Sequence, residues 1–319
     1  MFSPIVNNVV TMIFQMFNEQ LIERRTVEEV LNGREVGILK MVDVLGSPLR
    51  SLGISVPEIG VGMYKLTESS FGFIRMRHNQ TFGPMEVYTG QTARGRFNYI
   101  RSVEGKTSLP FYRSERCNRL AGTEGTFFGA HPPVGGNASL AIFNQHLCRP
   151  LKFLYEGESS VALIRTYRYL NDHRQFSIVA LPQENWCFCP EDENVTRCEG
   201  VLFMRQCLDG APLVLSNAHF LYSNRLQAKV RGLSPSYDKH LGYIEVERTL
   251  GTSTKVAIRA QLNVDMKPYS AVSSLSSFRP VIMPWIWIEE VRCVLNVVRP
   301  VFTKCISRAL QFKGILNFC

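Results

Sequence analysis

The chain has 319 residues, 45% of them hydrophobic and 11% aromatic, which is enough to bury a sizeable core and too apolar for a disordered polypeptide. Its net charge of +9 admits nucleic acid, anionic lipid or a negatively charged particle as partner and does not choose among them. The opening stretch MFSPIVNNVVTMIFQMF lacks the basic start, continuous apolar centre and small-residue cleavage site of a signal peptide, and Asn7, Asn8, Thr11 and Gln15 interrupt it too often for a spanning helix.

Val6, Val9, Val10, Ile13, Phe17 and Leu21 recur at helical spacing, so residues from Pro4 to Ile22 read as an amphipathic helix. Thr26 followed by Glu29 is a capping box, in which hydroxyl and carboxylate satisfy free N–H groups reciprocally; it predicts a short helix from Val27 to Asn32 that stops at Gly33. From about Gly60 the period changes to two, in FGFIRMRH, MEVYTG, RFNYIRSV, SLAIFN, ALIRTYRYL, FSIVAL and PLVLSNAHFLYS, with Gly, Pro, Ser and Asn between the runs. These predict antiparallel strands. Between Lys255 and Val264 the alternation places Val256, Ile258, Ala260, Leu262 and Val264 on an apolar face, and Lys255, Arg259, Gln261 and Asn263 on a polar one. Tyr243 to Glu247 alternates as well, with a glycine-bearing turn at Leu250 to Ser253 joining the two strands. Past Pro300, Val301, Phe302, Cys305, Ile306, Ala309 and Leu310 share one helical face and Lys304 and Arg308 another, a basic amphipathic helix suited either to an anionic membrane interface or to docking on its own domain.

Six of the nine cysteines fall between Cys117 and Cys207, and sequons occur at Asn79, Asn137 and Asn194. The gaps among Cys187, Cys189, Cys198 and Cys207 suit disulfides better than the paired spacing of a zinc site, so no metal is expected. Spacing alone does not pair the six. It does set aside a bond between Cys187 and Cys189, whose side chains point to opposite faces of an extended chain. A sequon inside the cysteine cluster, at Asn194, agrees with an oxidising secretory compartment. With no entry signal at its start, the sequence is expected to be a fragment, a truncated isoform or the product of an incompletely defined gene.

No catalytic constellation stands out: GESSVA around Ser159 is not a nucleophile elbow, and neither an H-E-x-x-H nor a phosphate loop occurs. The chain therefore reads as a non-enzyme without a cofactor, and His131, His219 and His240 as hydrogen-bonded structural residues. Arg75, Arg77, Arg94, Arg96 and Arg101 interleave with Phe73, Phe97 and Tyr99, superficially like a nucleic-acid surface. The sequons favour solvated strand faces instead, and anionic lipid or lipoprotein over nucleic acid.

From Cys117 the segments CNRLAGTEGTFFGAHPP, FNQHLCRP, ENWCFCPE, GVLFMRQCLDGAPLVLSNAHFLYS, GLSPSYDKHLGYIEVERTLGT and AIRAQLNV resemble the class B scavenger receptor family in order and spacing, over about Thr26 to Trp287. The resemblance implies a mainly β fold with some α: an irregular antiparallel β-barrel ectodomain with a helical apex and an internal hydrophobic tunnel. It divides the chain into a partial ectodomain at 1–290, with apical helices at 1–48 and barrel at 60–290, and a basic juxtamembrane segment at 291–319. Disulfides Cys117–Cys187, Cys148–Cys207 and Cys189–Cys198 follow from the family, and Arg24 and Arg25 become candidate contacts for anionic ligand at the apex. PVIMPWIWIEE resembles the family's last strand before the membrane. Ala121 and Glu124 depart from the family's Asn and Asp around its Gly-Thr element, and Pro150 from the Ser of its Cys-Arg-Ser at the second cysteine. Family membership implies a receptor in the plasma or endolysosomal membrane, with this chain on the outer or lumenal side. Such a receptor passes fatty acids, sterols or lipoprotein lipid to the bilayer, or carries a protein cargo bound through the apical helices. The family's first membrane span and first strands would precede Met1, which leaves sheet edges unpaired. Cys293, Cys305 and Cys319 take no part in the implied pairs and read as buried thiols or, near a membrane, as palmitoylation sites.

Overall fold

The structure is a computed structural model that describes residues 25–35, 60–61, 64–65, 70–71, 83–91, 94–208, 210–268, 276, 279–293 and 313–314. The helix expected from Pro4 to Ile22, the FGFIRMRH run beyond Phe71, and the basic helix past Pro300 lie outside them. The chain forms two compact units, one of Met1–Phe82, Leu208–Pro212 and Asp265–Ile282, the other of Gly83–Cys207, Leu213–Val264 and Met283–Cys319.

In the first unit, helix α1 spans Val27–Asn32. The Glu29 N–H donates to Thr26 Oγ1 at 3.2 Å and the Thr26 N–H to Glu29 Oε2 at 2.8 Å, the reciprocal box that its sequence spells. Gly33 ends it at φ 98°. Strands β1 (Arg34–Glu35), β2 (Gly60–Val61), β3 (Tyr64–Lys65) and β4 (Ser70–Phe71) follow, with β1 antiparallel to β4 and β2 to β3.

The second unit opens with the antiparallel pair β5 (Met85–Val87) and β6 (Ile100–Val103). The main sheet comprises β7 (Ser139–Asn144), β8 (Arg149–Val161), β9 (Ile164–Asn171), β10 (Leu202–Phe203), β11 (Leu213–Ser216), β12 (Tyr243–Glu247), β13 (Ser253–Met266), β14 (Val281–Cys293) and β15 (Lys313–Gly314). Its path runs β10-β11-β13-β12-β9-β8-β7, with β14 also paired to β13 and to β15. One face carries the apolar cluster Leu140, Phe153, Tyr169, Ile244 and Val246. Register explains the cluster, since Leu140 faces Phe153, and Tyr169 faces Ile244, which in turn faces Val256.

Four expectations change. The closed barrel is not formed by the described strands: the path is open, with β10 at one end and β7 at the other. Both ends are blunted. β10 has two residues, and the outer side of β7 is occupied at Thr123, whose N–H donates to the Ala141 carbonyl at 3.0 Å and whose carbonyl accepts from Phe143 at 2.9 Å. The polar face read for β13 is the more buried one, with Gln261 and Asn263 fully enclosed and Ile258 of the apolar face 46% exposed. FSIVAL is no strand: Phe176 closes a 3-10 helix and Ile178–Ala180 form a turn, held by the Ala180 N–H on Ser177 Oγ at 2.9 Å. Sequence reading also passed over β8, because a bulge between Tyr155 and Gly157 breaks its alternation.

The turn between β12 and β13 is a glycine turn as expected. Gly251 lies at φ 75°, and a Cβ there would run into the Gly129 carbonyl. β14 runs on to Cys293, past residue 290.

Candidate functional site

The cysteines form the most concentrated feature of the second unit. Short helices at Glu115–Asn118, Pro182–Asn185 and Val195–Cys198 bring them together as Cys117–Cys187, Cys148–Cys207 and Cys189–Cys198, with Cα separations of 6.1, 6.1 and 5.7 Å. All six are buried. Local sequence prepares each one. Ser114 caps the first helix by accepting from the Arg116 N–H, and Asn144 Oδ1 accepts from the His146 and Leu147 N–H groups just before Cys148. Asn194 caps the third helix, its Oδ1 accepting from the Arg197 N–H at 2.8 Å. The loops these bonds close span 70, 59 and 9 residues, which corresponds to about 4, 4 and 3 kcal/mol of denatured-state entropy removed.

Arg149 sits at the centre of this block, buried, with no carboxylate of the described residues in hydrogen-bond contact. Its guanidinium lies 3.9 Å from the Phe188 ring centroid and 5.8 Å from that of Phe176. Asn185 Oδ1 accepts from it at 3.5 Å and the Pro150 carbonyl at 3.4 Å. Burial pushes its pKa down to about 10, partly offset by Tyr112 and Glu184, so it stays a cation at neutral pH. The Tyr112 hydroxyl, which donates to the Leu147 carbonyl at 3.1 Å, is pushed up to about 12 by the same burial, with Arg149 opposing. A cation stacked between two aromatic rings, with its N–H groups partly satisfied, is a packing device. Its sequence signal was the arginine after Cys148 together with the aromatic inside CFC.

A second polar cluster lies on the far face of the sheet. Glu245 is buried and accepts from Arg168 Nε and Thr166 Oγ1, both at 2.7 Å, and from Ser159 Oγ at 3.1 Å. Further along, Asn263 Nδ2 donates to the Val214 carbonyl and to Ser216 Oγ, while Gln261 Oε1 accepts from the His219 N–H at 2.8 Å. Both His219 and His240 accept a backbone N–H, which is a structural use of each imidazole. None of these residues was singled out by sequence as a buried network, since buried Glu, Gln and Asn look like surface residues until their partners are known.

The remaining site residues are dispersed. Asn194 is exposed beside the Cys189–Cys198 bond, and Asn137 is exposed in the turn before β7. Arg25, in the first unit, is 3.9 Å from Glu29. Arg24 and Asn79 lie outside the described residues. Among the described residues no helix is long and apolar enough to cross a membrane.

A twisted open sheet braced by three buried cross-links defines a disulfide-bonded β domain of the kind built in oxidising compartments. The family follows from comparison with known proteins. The model of the CD36 family matches residues 1–311, and the chain belongs to that family. It is 23% identical over 283 residues to scavenger receptor class B member 1 of Sus scrofa, covering 88% of this chain and 51% of the relative. The mouse (Mus musculus) protein of the same name is 26% identical over 224 residues, or 70% and 43% of the two chains. Lysosome membrane protein 2 of Homo sapiens is 24% identical over 286 residues, 89% and 55%. The chain thus spans about half the length of the curated relatives it matches. The family is one of receptors and not of enzymes, as the sequence resemblance implied.

Proposed function

We propose that this chain is the lumenal or extracellular part of a lipid-handling scavenger receptor. It binds hydrophobic or anionic ligands, namely fatty acids, sterols or lipoproteins, at a helical apex, and lipid passes through an internal tunnel to the plasma or endolysosomal membrane. No bond is made or broken. The observation that carries this reading is the family match over residues 1–311. The cross-linked block and the net charge of +9 agree with an oxidising compartment and an anionic partner. In this reading Asn79, Asn137 and Asn194 bear glycans, and Arg24 and Arg25 meet the ligand. The test is titration of the protein, made through a secretory pathway, with a fluorescent long-chain fatty acid and with vesicles containing phosphatidylserine. Saturable binding that weakens in the Arg24→Glu/Arg25→Glu variant is expected. Absence of saturable binding to either probe contradicts the proposal.

A trafficking receptor for a protein cargo is the second reading, and α1 favours it. This helix buries none of its residues and leaves Val27 57% exposed, which suits a docked protein better than an enclosed lipid. Lipid binding unchanged by Val27→Asp, together with loss of a captured protein, would separate the two.

A further inference from the structure

His219 and His240 stack face to face, with ring centroids 4.2 Å apart and planes 10° apart. Trp287 of β14 presents an edge to both, at 5.9 and 5.4 Å. The Ser234 N–H donates to His219 Nδ1 at 3.0 Å and the Ser236 N–H to His240 Nδ1 at 2.9 Å. Both rings therefore carry their single proton on Nε2. His219 takes its place from a left-handed backbone, φ 55° and ψ 27°, which is uncommon for a non-glycine residue and is held by the bond from its N–H to buried Gln261. The segment 234–241 is further tied down by Arg259 of β13, which donates to the Asp238 and Leu241 carbonyls at 2.7 and 2.9 Å and pairs with Glu289 of β14 at 2.9 Å.

We infer that the His219–His240 stack is an acid-sensitive latch, which holds the segment 234–241 over β13 and β14 at neutral pH and releases it at endolysosomal pH. A proton added at either Nδ1 meets a backbone N–H that already points at it, so an acceptor becomes a donor and the bond is lost. Two imidazolium rings at stacking distance also repel. The groups facing His240 add to this: His219 from its own turn, Arg259 from β13 and Lys239 from the neighbouring residue are cationic or become so, and Glu289 of β14 opposes them. Burial first, then these charges, push the His240 pKa from 6.5 down to about 4. The sign follows. Between pH 6.5 and 4 the open segment binds a proton that the closed one refuses, so closure is complete above pH 6.5 and weakens as pH falls. Counting His240 alone, the open population rises about twenty-five-fold from pH 7.4 to pH 5.0. The latch is independent of the ligand and stands whether the receptor carries lipid or protein.

Hydrogen exchange of the secreted protein at pH 7.4 and 5.0, corrected for intrinsic rates, reads this directly. The amides of 234–241 should open about twenty-five-fold more at pH 5.0, while those of β8 and β9 stay unchanged. In His240→Asn, whose side-chain carbonyl can still accept from Ser236 but does not titrate, the acid effect should shrink to what His219 alone supplies, with the segment still protected at pH 7.4. Should that variant not fold, His219→Asn is read in the same way. Equal protection of wild-type 234–241 at both pH values overturns the latch, as does an acid effect undiminished in the folded asparagine variant.

Discussion

The cysteine block and the sheet formed by β8, β9, β12 and β13 solve the same problem by different means. The block is built from four-residue helices and 3-10 turns, each too short to be stable by itself. Its order comes from three covalent links and a stacked cation. The sheet is held by long antiparallel ladders, and it encloses an apolar cluster on one face and the Glu245 network on the other. Loss of one side chain should therefore be felt differently in the two regions.

The largest effect is expected in the block. Cys148→Ser/Cys207→Ser opens a link across 59 residues and should cost about 4 kcal/mol, read as a fall in secreted yield and in Tm. In the sheet, Glu245→Ala leaves Arg168, Thr166 and Ser159 facing an empty acceptor site, and about 3 kcal/mol should be lost. Glu245→Gln keeps the volume and one acceptor and should cost less in the same thermal melt. Arg149→Lys keeps the charge but loses the flat stacking on Phe188, which sets the expected loss at about 1–2 kcal/mol. The smallest effect belongs to Thr26→Ala. It removes the cap of α1, and the local cost of about 1 kcal/mol should show as faster exchange of residues 27–32 without a shift in the main Tm.

The two regions also differ in how readily their sequences disclose them. Local rules worked where partners are local: Thr26 and Glu29 write the cap of α1, and Gly251 writes the turn between β12 and β13. Strand periodicity located β7, β9, β11, β12 and β13. It divided β13 between two faces correctly but did not disclose that the polar one is buried, because burial of Gln261 and Asn263 depends on Ser216, Val214 and His219, up to 49 residues away in sequence. FSIVAL alternates like a strand, yet the Ser177 hydroxyl and the helix beginning at Pro182 turn it back on itself. In the block, spacing excluded one bond and left the others open. Resemblance to the family supplied the three pairs, and nothing periodic marks Arg149 as the cation at their centre.

Non-reducing peptide mapping of the secreted protein, with glycosidase treatment, tests most directly whether this chain is a receptor ectodomain. The expected result is recovery of Cys117–Cys187, Cys148–Cys207 and Cys189–Cys198 as cystine peptides, with glycan released from Asn79, Asn137 and Asn194. Six free thiols and unmodified asparagines would contradict both the fold of the block and the compartment in which the receptor reading places it.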